Sequence, residues 1–219
     1  GNSDMPIVIQ DDGKIIISGD FTSYNGIDSN YIIRLNTDGS IDTSFNTGTG
    51  ANNMIIKIAL QDDGKVIIGG SFTSYNGISI NRIARLNTDG SIDTSFDVGT
   101  GADSAIFKIN IQNDGKVFIG GYSTSYNGIS TTGIVRLNTD GSLDTSFNTS
   151  NEVLSGFAEI AIQDDGKVVF GGYSASSFSR YLARLNTDGS LDTSFNFGYG
   201  ANNFINDIAI QDDGKVIIG

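Results

Sequence analysis

An all-β chain, built as an array of one repeated unit, is what the sequence predicts, and three observations predict it. The stretch RLNTDGSIDTSF at Arg34 to Phe45 returns at Arg85 to Phe96, and as RLNTDGSLDTSF at Arg136 to Phe147 and Arg184 to Phe195. A second motif, IQDDGKIIISG from Ile9, recurs from Leu60, Ile111, Ile162 and Ile210 in the same period. Nothing between the motifs has the length or the 3.6-residue periodicity of a helix. The spacing of 51, 51 and 48 residues is the signature of a solenoid or propeller.

Each element follows from local chemistry, and the second repeat shows them in order. Ile55 to Leu60 (IIKIAL) is a short apolar strand, and Asp63-Gly64 is a hairpin turn of the Asp-Gly type. Val66 to Phe72 returns antiparallel to it. A loop, TSYNGISIN, leads to a third strand, Arg82 to Asn87. Asp89-Gly90 then turns the chain into a fourth, Ile92 to Phe96, where Ile92, Thr94 and Phe96 alternate with Asp93 and Ser95, as in a half-buried strand.

A four-stranded antiparallel meander of this length matches a β-propeller blade. Blades stack face to face, which accounts for apolar runs in the first two strands. It also accounts for the glycine pairs Gly69-Gly70, Gly120-Gly121 and Gly171-Gly172, expected where neighbouring sheets approach closely. The succession IALQDDGKVIIGGSFTSYNG, then NRIARLNTDGSIDTSF, resembles the delta-60 repeat, a bacterial β-propeller repeat of large secreted or surface proteins and of some phage proteins. The resemblance spans essentially the whole chain and implies a propeller, commonly taken as seven-bladed, without established catalytic residues. The fourth repeat departs from it: YSASSFSRYLARLN lacks the SYNG loop and three residues.

We expect a single propeller segment over residues 1–219, with repeats at 1–51, 52–102, 103–153 and 154–201 and a partial one at 202–219. Five copies of the first hairpin stand against four of the second, and Gly1 aligns with Asn52 inside a repeat. The chain therefore reads as an arc of about four and a half blades of a larger ring.

Composition narrows function. The chain has no Cys, His or Trp, so thiolate metal sites, disulfides and the commonest general base are absent. A net charge of −12 argues against nucleic acid or anionic lipid as a partner. No apolar run is long enough to cross a bilayer as a helix, and the opening GNSDMPIVIQ lacks the features of a signal peptide. The only glutamates, Glu152 and Glu159, lie in a link and a first strand with no convergent second acid, so an enzyme is not expected. Arg180 and Phe178 also break the repeat, in the shortened fourth loop.

Connectivity sorts the loops. The QDDGK and NTDGS turns should emerge at one, acidic, end of the blades, and the SYNG loops and NTGTGANN-type links at the other, nearly uncharged, end. At the acidic end Asn36, Asp38 and Asp42, with Asn87, Asp89 and Asp93, are candidate calcium ligands of hard oxygen type. The competing assignment is that they shape turns and pair with Arg34, Arg85, Arg136 and Arg184. At the other end Tyr24, Asn25, Tyr75, Asn76, Tyr126 and Asn127 are candidates for binding a glycan or a protein partner. Their competing assignment is packing of each Tyr on its own loop, with Asn-Gly as a turn. The expectation is a non-catalytic scaffold and interaction module of a larger secreted or surface protein. The partners are other subunits or domains of that protein. A virion component, such as a phage tail or fibre, and a glycan-binding propeller are the alternatives.

Overall fold

The computed structural model describes residues 6–131, 133–149, 159–174, 179–196, 198, 201, 205 and 207–219. Among these every regular element is a β-strand. Each repeat begins with an inner strand (Ile7–Ile9, Ile55–Leu60, Ile106–Ile111, Glu159–Ile162, Ile208–Ile210). A middle strand pairs with it antiparallel (Ile15–Ser18, Val66–Gly70, Val117–Gly121, Val168–Ser174, Val216–Ile218). A third strand follows in four repeats (Ile32–Leu35, Ile83–Leu86, Ile134–Leu137, Ser179–Leu185). The inner strands of successive sheets lie side by side, so the sheets radiate from that row.

The turns explain the register. In the second repeat Gly64 has φ of +79°, and its N–H donates to the Gln61 carbonyl at 2.9 Å. The Asp63 carboxylate accepts the Lys65 N–H at 3.0 Å. This tight turn sets Leu60 opposite Val66 and Ala59 opposite Ile67. Side chains then alternate between the two faces of the sheet, and both faces are covered. Ile58 and Ile68 join the cluster containing Ile16, Ile32 and Phe45 of the preceding repeat. Ile67 and Ile83 join the cluster containing Ile106, Ile109 and Val117 of the following one. The core is thus a series of seams between sheets, with a third around Phe118, Phe147 and Phe170 and a fourth around Val169, Ile205 and Ile208.

The glycine pairs divide their work. A Cβ on Gly69 would lie 2.8 Å from Ile109 of the next sheet, the close approach expected. On Gly70 it would lie 2.2 Å from the Met54 carbonyl of its own sheet. The second glycine therefore answers to the bulge of the inner strand between Ile55 and Lys57, not to the neighbour.

The fourth strand differs from expectation. Only Ile92 bridges Leu86, with Ile41, Leu143 and Leu191 doing the same in the other repeats, and the chain then turns. Asp93 is buried and Thr94 exposed, the reverse of the alternation predicted. The cause is Asp93 itself: its Oδ1 accepts the Ser95 N–H at 3.0 Å and hydroxyl at 2.6 Å, and its carbonyl accepts the Phe96 N–H at 3.1 Å. These local bonds replace a strand with an Asx turn.

Candidate functional site

The turn carboxylate that displaces the fourth strand is the centre of a repeated polar cluster. Asp93 Oδ2 lies 2.7 Å from Arg85 Nε and 2.8 Å from Lys65 Nζ. The same trio forms at Asp42 with Arg34 and Lys14, at Asp144 with Arg136 and Lys116, and at Asp192 with Arg184 and Lys167. Each guanidinium also covers the phenylalanine three residues beyond the aspartate, at 4.6 Å for Arg34 on Phe45 and 4.7 Å for Arg85 on Phe96. In the first three repeats a further donor of the guanidinium crosses the seam. Arg34 Nη1 reaches the Thr88 carbonyl at 2.7 Å, Arg85 the Thr139 carbonyl at 2.8 Å and Arg136 the Thr187 carbonyl at 2.8 Å. Burial alone would push the carboxyls of Asp42, Asp93 and Asp144 up. Hydrogen bonds from the lysine, the serine and the arginine outweigh it and hold them well below the usual carboxylate range.

The calcium candidates are engaged in these and neighbouring contacts. Both oxygens of Asp42 and Asp93 are occupied by cationic or serine donors. Asp38 and Asp89 accept the N–H and hydroxyl of Ser40 and Ser91. Asn36 and Asn87 donate to those same serines at 3.0 Å. Among the described residues no three carboxylates gather to hold a metal ion. In this structure these side chains cap turns and pair with the neighbouring serines and cations.

At the other end, two-residue turns close small hairpins, Ser23–Tyr24 with Ile27–Asp28, Ser74–Tyr75 with Ile78–Ser79, and Ser125–Tyr126 with Ile129–Ser130. Asn76 and Gly77 both have positive φ, 46° and 73°, as a type I′ turn requires. The expectation that the tyrosines are exposed fails for Tyr75 and Tyr126, which are fully buried. The link from the preceding repeat is the reason. It starts at the acidic end, where Asn46 N–H donates to the Asp89 carbonyl at 2.7 Å. It then climbs the edge of the sheet until Ala51 bridges Tyr75. The phenol lies beneath it and donates to the Gly90 carbonyl at 3.1 Å; Tyr126 does the same to Gly141 at 3.0 Å. Burial raises both phenol pKa values. Asn76 is also engaged, its Oδ1 accepting the Thr49 N–H at 3.2 Å, as Asn127 accepts that of Thr100 at 3.1 Å. Tyr24, in the first hairpin, is only half-buried, and its neighbour Asn25 is exposed.

What these hairpins present instead is isoleucine. Ile27, Ile78 and Ile129, each following the Asn-Gly turn, are about half exposed, one in each of the first three repeats. Sequence reasoning missed this row because an apolar residue in a strand reads as core. The pointer was its position, opposite a large tyrosine across a two-residue turn.

The residues that break the repeat fall in two places. Glu159 occupies the inner-strand position of Lys57 and Lys108 and pairs with Lys108 of the preceding sheet, a contact between neighbouring inner strands. Glu152 and Phe178 lie outside the described residues, as does the side chain of Arg180. Clefts also open between successive QDDGK turns. One, about 560 Å³, lies between Gln10 to Lys14 and Leu60 to Gly64. Their walls are turn residues, and Asp63 among them is bonded to the Lys65 N–H of its own turn.

Radiating antiparallel sheets, seams sealed by a repeated motif and no helix among the described residues define a β-propeller repeat protein. The chain belongs to the family described as a domain of unknown function (DUF5122) beta-propeller, whose model matches residues 10–45, 61–96, 112–147 and 163–195. Each match runs from the glutamine of one motif to the phenylalanine of the other, the span tied together by the arginine cluster. Among solved structures, the chain is similar to a protein of unknown function from Dyadobacter fermentans. The TM-score is 0.50 at 10% identity, covering 99% of this chain and 75% of that one. It is also matched to an endo-arabinase from Bacteroides thetaiotaomicron, with a TM-score of 0.42 at 11% identity, covering 98% of this chain and 87% of that one. No curated protein matches the chain in sequence.

Proposed function

We propose that the chain is a non-catalytic scaffold whose hairpin end engages other proteins or domains, as a module of a larger secreted or surface protein. One observation carries this. The polar side chains the motifs repeat are spent on turns and seams, and the row left outward by each hairpin is Ile27, Ile78 and Ile129. Evenly spaced apolar tips on stiff two-residue turns suit contact with a protein surface, where burying each contributes about 1–2 kcal/mol. They do not suit sugars, which call for exposed aromatic rings of the kind buried here at Tyr75 and Tyr126.

The test is photo-crosslinking of the full-length protein in its source cells, with a photoreactive amino acid placed in turn at 27, 78 and 129. The expected result is one common crosslinked protein or domain from all three positions, lost in the Ile27→Ser, Ile78→Ser, Ile129→Ser triple variant at unchanged melting temperature. Three positions that yield no crosslink, or a triple variant that keeps it, would overturn the proposal. Fractionation of the same cells checks the setting: recovery in the cytosol alone would contradict it, and recovery in purified phage particles would favour the virion alternative.

A further inference from the structure

The small hairpins have two edges, and the fold covers one of them with a strand from outside the hairpin. On the Ser74–Tyr75 edge the link from the preceding repeat is added: Asn52 N–H donates to the Ser74 carbonyl at 3.1 Å and Asn76 N–H to the Gly50 carbonyl at 2.7 Å. The third repeat does the same, with Asp103 N–H on Ser125 at 3.2 Å and Asn127 N–H on Gly101 at 2.8 Å. The opposite edge, Ile78–Ser79, carries no added strand. Ile78 pairs with Tyr75 across the turn, and Ile80 N–H donates back to the Thr73 carbonyl at 3.1 Å. In an antiparallel ladder the residue between these two points its N–H and carbonyl outward. That residue is Ser79, which is exposed and whose two backbone groups have no hydrogen-bond partner among the described residues. Asp28 and Ser130 hold the same position, with Ser29 and Thr131 N–H donating to Thr22 and Thr124 at 3.0 and 2.9 Å. The outgoing link meets this edge only farther on, where Ala51 N–H reaches the Asn30 carbonyl at 3.4 Å. In the third repeat an open cleft of about 260 Å³ runs along it, lined by Ile129, Ser130, Thr131, Ile134 and Leu143.

We infer that the protein partner is held here by strand addition. An extended segment of the partner pairs its backbone with Ser79, or with Asp28 or Ser130, and lays an apolar side chain beside Ile78, Ile27 or Ile129. The inference rests on the reading of the hairpin end as a protein-contact surface, and names the shape of what that surface takes. Backbone chemistry selects the occupant. An outward N–H and carbonyl on one residue match one residue of an extended chain, whereas a helix has already spent its own backbone groups. The link shows the same small sheet accepting such a segment on its other edge. Ile78 is 51% exposed and lies on the sheet face of Tyr75, its cross-strand partner, so an added strand would cover Ile78 as the link covers Tyr75. The segment cannot carry proline opposite Ser79, because it must donate there. Each edge is only two residues long, so single contacts are weak and a partner with several such segments gains by engaging several hairpins at once.

The test selects peptides from a random display library on the 219-residue chain and follows the backbone directly. Selected peptides should alternate apolar and polar residues and lack proline at their centre. On binding, the amide of Ser79, Asp28 or Ser130 should become protected from hydrogen exchange, read residue by residue by NMR. The Asp28→Pro, Ser79→Pro, Ser130→Pro triple variant removes only N–H groups that the fold leaves unpaired, and should weaken binding at least about tenfold. Exchange in the wild-type chain reads the same contact should that variant fail to fold. Peptides that bind while all three amides stay unprotected, or that bind the proline variant equally well, overturn strand addition. So does a selection that yields no binding peptide. Crosslinking from positions 27, 78 and 129 is judged separately: crosslinks without amide protection would keep the contact surface and remove the added strand.

Discussion

The seams and the exposed turns are built from the same residue types, and the comparison shows how location sets their role. Asp93 and Asp63 belong to one repeat and both cap a turn through Oδ1. Asp63 does so in solvent, whereas Asp93 is buried with Arg85 and Lys65 on its other oxygen. Tyr75 and Tyr24 form a similar pair. Tyr75, under a link from the preceding repeat, is sealed and hydrogen-bonded, while Tyr24 is left half-exposed. A repeated residue in this protein therefore gains energetic weight from its neighbour across the seam.

Acid should act on the seams most strongly, because it reaches several at once. The folded-state pKa values of Asp42, Asp93 and Asp144 are depressed. Their stabilisation is thus present above the unfolded value near 3.9 and lost as the pH falls through the folded values. Urea midpoints should hold steady from about pH 7 to about pH 5 and decline steeply below about pH 4. A midpoint that rises in that range would break the comparison. Next in size, Arg85→Met strips Asp93 of one cation, uncovers Phe96 and removes the bond to Thr139 of the next repeat. The expected loss is roughly 2–4 kcal/mol by chemical denaturation. Smaller still, Tyr75→Phe should cost about 1 kcal/mol by leaving the Gly90 carbonyl without its donor. Tyr24→Phe should cost under about 0.5 kcal/mol, and equal costs would show that the link does not seal the second hairpin.

Much of the fold was legible in the sequence for a physical reason: Asp-Gly turns and β-branched runs act locally, and repetition marks the unit. The fourth strand was misjudged because Ile92, Thr94 and Phe96 imitate an alternating strand, while Asp93 bonds to Ser95 and ends it. The tyrosines were misjudged because their neighbours Ser74, Asn76 and Gly77 are those of a solvated loop; what buries Tyr75 is a link arriving from some 25 residues earlier, at Ala51. Lys65 and Asp93 stand 28 residues apart and meet only once the blade has folded. The arginine was paired with the aspartates in general from sequence, but its reach into the next repeat, 54 residues on from Arg85, is a property of the stack.

The central claim is that the aspartates of the DTSF turns hold the blades together while those of the QDDGK turns do not. Side-by-side urea unfolding of Asp93→Ala and Asp63→Ala tests it most directly. The expected losses are roughly 2–4 kcal/mol for Asp93→Ala, which leaves two cations without their shared anion, and about 0.5 kcal/mol or less for Asp63→Ala. Equal losses, or a larger one for Asp63→Ala, would contradict the account.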